Sequence, residues 1–223
     1  MDKKHLSFDM KIANRMSKNE NECYPFSEAS INNIPNISIF TDETINKKIT
    51  EGCKAVLRAS MSSKNPYRYG EVGLLISILD VDRQGNKLPT IRVGFKGDYK
   101  QIRTDNRFKQ ITNNRKVNDL VFIHNHPNDS KFSVADIKKF ASTKTLIALI
   151  VVGNRHNIFT LIKADKEKSK YITEYIEEYT KNKCINSNKC DEKQCEKEAI
   201  SDILMNTEEF GLMYRKFYRK MER

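Results

Sequence analysis

The stretch LVFIHNHPNDSKFSVADI, residues 120–137, decides how the chain is read. An apolar run from Leu120 to Ile123 leads straight into His124 and His126. Pro127 then stops it, because proline has no amide proton to give to a sheet ladder. On a strand, residues two apart share a face and lie about 6.5–7 Å apart at Cα. His124 and His126 therefore project together, and Asn125 faces the other way. Two imidazoles so placed can converge on one ion at Zn–N distances of about 2.0–2.1 Å. Asp136 follows in the first turn of a short helix expected for SVADIKKFAS, whose Val134, Ile137 and Phe140 share a face. A carboxylate there supplies a third ligand, and three protein ligands leave a fourth tetrahedral position for water. Ser133 and Asp136 also make an ordinary helix start, with Ser at the cap and Asp favoured by the helix dipole. Two histidines and an aspartate gathered behind one apolar strand tip the reading toward a metal centre.

The segments around this strand give the fold class. TDETINKKITEGCKAVLRASMSS, from Thr41, spaces Ile45, Ile49, Cys53, Val56 and Leu57 as an amphipathic helix behind a Thr/Asp start. GEVGLLISILDVD reads as a buried strand, RQGNK as a turn and KLPTIRVGFKG as a second strand. A basic segment, helical with flanking loops, leads into the histidine strand. After the 133–142 helix, TLIALIVVGN and HNIFTLIKAD form a hairpin turning at Gly153-Asn154. Beyond Asp165 the chain becomes charged and is expected to be helical, with a Cys-containing connector between KEKSKYITEYIEEYTKN and a last helix, EKEAISDILMNTEEFGLMYRKFYRKMER. Phe210, Met213, Tyr214 and Phe217 line one face of that last helix. This order predicts an α/β (α+β) domain with a mixed sheet flanked by helices. The expected divisions are a polar N-terminal arm (1–36), a central domain (37–165) and a C-terminal helical extension (166–223).

The 223 residues carry a net charge of +11 and a pI ≈ 9.3. That sign suits polyanions, although excess lysine is often only a solvated exterior. No apolar run reaches the ~20 residues of a membrane span, and the cationic N-terminus lacks the apolar core of a secretory signal. A cytoplasmic protein is expected, and five cysteines, an odd number, suggest reduced thiols. Cys184, Cys190 and Cys195 form no C-x-x-C pair and lack a fourth ligand, so a structural zinc cluster is weakly supported. The basic set Lys100, Arg103, Arg107, Lys109, Arg115 and Lys116 reads either as a phosphate-binding surface or as a solvated helix face.

A hydrolytic metal site needs a group that takes a proton from water and passes it on. Glu71 opens the strand EVGLLISIL, where a buried sheet meets the surface. Glu51 is the competitor, but it sits mid-helix and is expected to face water.

Taken together, Glu71-Val-Gly-Leu-Leu, His124-Asn-His126-Pro127 and Ser133-Val-Ala-Asp136 resemble the JAB/MPN metalloproteases, also called JAMM. The 53 residues from Glu71 to His124 suit that pattern. The H-N-H-P wording is closer to bacterial, phage and RadC-like members than to eukaryotic deubiquitinases. The likeness covers roughly residues 42–165 and implies the JAB/MPN (cytidine-deaminase-like) architecture. It also implies one Zn2+ per chain on His124, His126 and Asp136, Glu71 as general base and acid, and Ser133 steadying the oxyanion. The six residues between His126 and Ser133 are one fewer than in the commoner pattern, which shortens only the loop. The implied activity is hydrolysis of a peptide or isopeptide bond, with a ubiquitin-like, toxin or phage protein among the candidate substrates. Two other classes stay open: a RadC-like module associated with nucleic acid, and a non-catalytic scaffold that keeps the site. The nuclease sense of H-N-H fails, because that motif names residues dispersed over a ββα site rather than a tripeptide.

Overall fold

The computed structural model describes residues 24, 26–62, 69–98, 101–102, 106–185 and 191–218. Its centre is a six-stranded mixed sheet in the order β2-β1-β3-β4-β5-β6. The strands are β1 (Val72–Ser77), β2 (Thr90–Lys96), β3 (Leu120–His126), β4 (Leu146–Gly153), β5 (Ile158–Lys163) and β6 (Leu212–Phe217). β3 and β4 run parallel, and every other neighbouring pair is antiparallel. Among the described residues seven helices accompany them: α1 (Glu28–Asn32), α2 (Glu43–Met61), α3 (Asn106–Asn113), α4 (Val134–Ser142), α5 (Lys166–Ser169), α6 (Ile172–Ile185) and α7 (Glu192–Met205).

The sheet divides the interior in two. On one face α2 lays Ile45, Ile49, Cys53, Val56 and Leu57 over Leu74, Ile76, Val121 and Ile123. On the other, Leu75, Leu120, Phe122, Leu149 and Val151 meet Phe108 of α3, Ile137 and Phe140 of α4, and apolar residues of α6 and α7. β3 lies between β1 and β4 and is buried at all seven residues. Its first four residues, Leu120 to Ile123, form an unbroken apolar run for that reason, and the buried polar residues His124, Asn125 and His126 follow. The two-residue period still sets direction: Val121 and Ile123 face α2, while Leu120 and Phe122 face α4, and His124 and His126 continue that second row.

Two expectations change. The last segment is not helical throughout: residues 212–217 form β6, which pairs antiparallel with the edge of β5. The supposed helical face of Phe210, Met213, Tyr214 and Phe217 is split, with Met213 and Phe217 against the α2 core and Phe210 and Tyr214 against the other. The end of the N-terminal arm docks on the domain, with Ile31 and Ile34 in the α2 core. Cys184 is disulfide-bonded, a departure from the expectation of reduced thiols, while Cys53 is a buried free thiol. No described helix is long and apolar enough to cross a membrane.

Candidate metal centre

Three chain segments bring the site together. β3 carries His124 and His126 on its α4-facing side, and burial reduces their exposure to 1% and 5%. The turn after Pro127 returns the chain to α4, where Ser133 is the N-cap and Asp136 the third helical residue. The two form a reciprocal capping box: the Asp136 amide donates to Ser133 Oγ (3.2 Å), and the Ser133 amide donates to Asp136 Oδ2 (2.7 Å). Ser133 Oγ also donates to Asp136 Oδ2 at 2.7 Å, which fixes the carboxylate toward the histidines.

The donor atoms make a small triangle. His124 Nε2 and His126 Nε2 are 3.1 Å apart. His124 Nε2 lies 3.2 Å from Asp136 Oδ1, and His126 Nε2 lies 3.3 Å from Asp136 Oδ2. Two ligands held at about 2.0–2.1 Å from one ion at the tetrahedral angle stand about 3.3 Å apart. The imidazole–imidazole distance and each imidazole's distance to its facing Asp136 oxygen fall close to that value, and the set can hold a metal ion.

Tautomer geometry agrees. His126 Nδ1 is 3.1 Å from the Ser130 carbonyl and 3.0 Å from Ser130 Oγ; with the proton on Nδ1 donated to the carbonyl, neutral Nε2 presents its lone pair to the site. His124 stacks on Phe122, with ring centroids 5.2 Å apart. Its buried Nδ1 has no hydrogen-bond partner among the described residues. Burial holds the His124 pKa below its usual value. Burial also works against protonation of His126, but the hydrogen bond and charge of Asp136 outweigh it and raise its pKa. Burial pushes the Asp136 carboxyl upward, and the two imidazoles overcome this and hold it well below the ordinary range.

Glu71 stands one residue ahead of β1 and lines the same cleft, a space of about 880 Å³. Burial pushes its carboxyl up to about 7, against the lowering effect of His126. A carboxylate near 7 both accepts and returns a proton at neutral pH. Glu51 is excluded by position: it is exposed on α2, across the sheet from the histidines, 3.7 Å from Lys48.

Asn125, the spacer of the H-N-H tripeptide, has a task that sequence reasoning missed. On the far side of β3 its Oδ1 accepts the Val72 amide proton at 2.7 Å, and its Nδ2 donates to the Gly70 carbonyl at 3.2 Å. Both bonds bracket Glu71 and hold it beside the histidine strand. A buried Asn on a strand between two candidate ligands was the available signal. Asn125→Ala strands the Val72 amide and is expected to cost about 1–3 kcal/mol, readable as a lower urea midpoint.

The loop between the strand and α4 is fixed from β4. Asp129 lies so close to Gly153 that a Cβ there would stand 1.7 Å from Asp129 Oδ1. That carboxylate accepts the Arg155 amide proton at 3.1 Å and a bond from Asn157 Nδ2. Ser130, the partner of His126 Nδ1, is the next residue.

Four residues of the basic set are described. Lys100 and Arg103 lie outside the described residues. Arg107 and Lys109 are exposed on α3, and Lys116 is exposed after it. The Arg115 guanidinium is engaged by Asp119 and by Asp80 at 2.6 Å in a structural ion cluster. Cys190 also lies outside the described residues, and Cys184 and Cys195 belong to no metal-ligand group among those described.

No known protein family, curated protein or solved structure matches the chain. The site therefore rests on its own geometry.

Proposed function

We propose that the chain is a zinc-dependent hydrolase of peptide or isopeptide bonds, with the JAB/MPN (JAMM) architecture that its motifs resemble. The observation that carries this reading is the cluster of His124 Nε2, His126 Nε2 and the Asp136 carboxylate, whose two oxygens each face one imidazole at 3.2–3.3 Å, beside a buried glutamate. Nitrogen and oxygen donors in a two-His, one-carboxylate set suit zinc, and an open fourth position suits catalysis rather than structure. A bound zinc ion would lower the pKa of a water and polarise the substrate carbonyl.

The chain's own residues supply the remaining steps. Glu71, held near neutrality by burial, takes the proton from the attacking water and passes it to the departing amine. Asn125 keeps Glu71 in register with the histidines through the Val72 amide. Ser133 orients Asp136 with its one hydroxyl proton. Oxyanion stabilisation by Ser133 requires that proton to turn from Asp136 toward the substrate. Phe122 and Ile102 give the cleft an apolar wall, which strengthens the electrostatics of the ligand set.

Glu71→Gln keeps the shape and the metal ligands and removes the base. It is expected to retain zinc and lower turnover by about 10²–10⁴-fold. Hydrolysis of a panel of quenched peptides and lysine-linked isopeptides, with metal content measured on the same samples, checks this. Unchanged turnover in a zinc-loaded variant removes Glu71 from the mechanism. The same variant, holding substrate without cleaving it, is the reagent for capturing the natural target.

A further inference from the structure

The cleft carries two cations that the hydrolytic scheme does not use. Lys139 rises from α4 one turn past Asp136, and its Nζ lies 5.1 Å from the centroid of the Phe108 ring. Lys193 enters from the first turn of α7. Both line the space that holds the three ligand side chains and Glu71. Their helices are tied together by the Lys138–Glu196 ion pair at 2.8 Å, so the two ammonium groups arrive on elements fixed to each other.

Charge decides what such a cleft prefers. The lining carries two carboxylates, Glu71 and Asp136, and two ammonium groups, Lys139 and Lys193. A divalent ion on the ligand set makes the whole cleft net positive, whichever way Glu71 is protonated. Low-dielectric walls focus that field. Lys193 also stands at a junction. Together with Ser130, Ser133 and Ala135 it lines a second groove of about 630 Å³, whose apolar walls come from Phe132, Val134, Ile200 and Leu204.

We propose that the cleft selects a peptide bearing a carboxylate beside the bond presented to the metal centre. Lys139 and Lys193 hold that carboxylate, and the groove between α4 and α7 takes an apolar neighbour. The assignment rests on the hydrolase reading for the phrase "beside the bond", but the binding preference is measurable without turnover. The carboxylate is either an Asp/Glu side chain or a chain terminus, and blocked peptides separate the two.

The test is calorimetric titration of the full chain in its zinc-reconstituted Glu71→Gln form, with metal content measured on each sample. The probes are an acetylated, amidated peptide with one Glu beside Leu, its Gln twin, and the Gln twin with a free C-terminus. At least one carboxylate peptide is expected to bind about five-fold or more tightly than the blocked Gln twin at low salt. The preference should shrink at high salt as the charges are screened. It should fall to about one-fold in Lys139→Met/Lys193→Met, and partway in Lys193→Met alone, where an exposed residue in the first turn of α7 is changed without touching the core. Equal binding of all three peptides overturns the proposal. So does a preference that survives the double substitution, or a dinucleotide that binds more tightly than either carboxylate peptide. Discrimination by protein that has failed to take up zinc supports the lysine assignment and removes the metal reading instead.

Discussion

Asp136→Asn is expected to abolish metal-dependent stabilisation while leaving the metal-free fold nearly intact. The amide oxygen can keep the capping bonds from the Ser133 amide and hydroxyl, and the amide nitrogen can donate to an imidazole Nε2 in place of the ion contact. What disappears is the anionic ligand. For the wild-type chain, zinc at about 1,000 times its dissociation constant raises unfolding free energy by about 4 kcal/mol. In Asp136→Asn that increment should fall close to zero, seen as a melting temperature indifferent to zinc. The pH dependence has a defined sign. The His126 pKa is raised above 6.5 by Asp136, so in metal-free protein that pair contributes stability that is full below 6.5 and lost as pH rises through the raised value. Zinc requires the unprotonated ring, so its affinity should fall as pH falls, beginning above 6.5. The two trends run in opposite directions and are separable by melting with and without chelator.

Arg115→Ala is expected to destabilise the chain by about 3–5 kcal/mol, the cost of leaving a buried charge without its partner. The Asp119 side chain is 1% exposed and sits at the entry to β3. Its Oδ1 accepts from Ser77 Oγ at 2.7 Å and from the Leu79 amide at 3.0 Å, so this one carboxylate joins the end of β1 to the start of β3. Burial raises the Asp119 pKa, but hydrogen bonds from Arg115 and Ser77 overcome it and leave it lowered. A depressed carboxyl contributes stability above its unfolded value of 3.8, which is lost as pH falls through the folded value. The gap between wild type and variant should therefore be full at neutral pH and narrow in acid. Urea midpoints at pH 7 and pH 3.5 check both the size and the trend. A phosphate-binding Arg115 predicts the opposite pattern, unchanged stability with weaker, salt-sensitive polyanion binding.

How much of this was readable follows the range of the interactions. The H-x-H pair and Asp136 were legible because strand period and helix capping are local rules. The central strands were legible because burial on both faces leaves an unbroken apolar run, as in β4 and in residues 120–123 of β3. β6 was not, since Phe210, Met213, Tyr214 and Phe217 suit a helical spacing as well as they suit an edge strand. The free edge of β5 and the left-handed turn at Gly211 (φ 63°) decide it, and only the second leaves a local trace. Arg115 looked like part of a basic surface because Asp80 is far away in sequence. Asn125 was placed correctly on the far face of β3, yet its bond to the Val72 amide spans 53 positions and has no local signature.

The central claim is that His124, His126 and Asp136 hold one zinc ion. Its most direct test is metal analysis after zinc reconstitution and exhaustive dialysis, on the wild-type chain and on Asp136→Asn in parallel. The claim predicts one zinc per wild-type chain and close to none in the variant. A wild-type chain that emerges free of zinc, or a variant that retains as much as wild type, contradicts it.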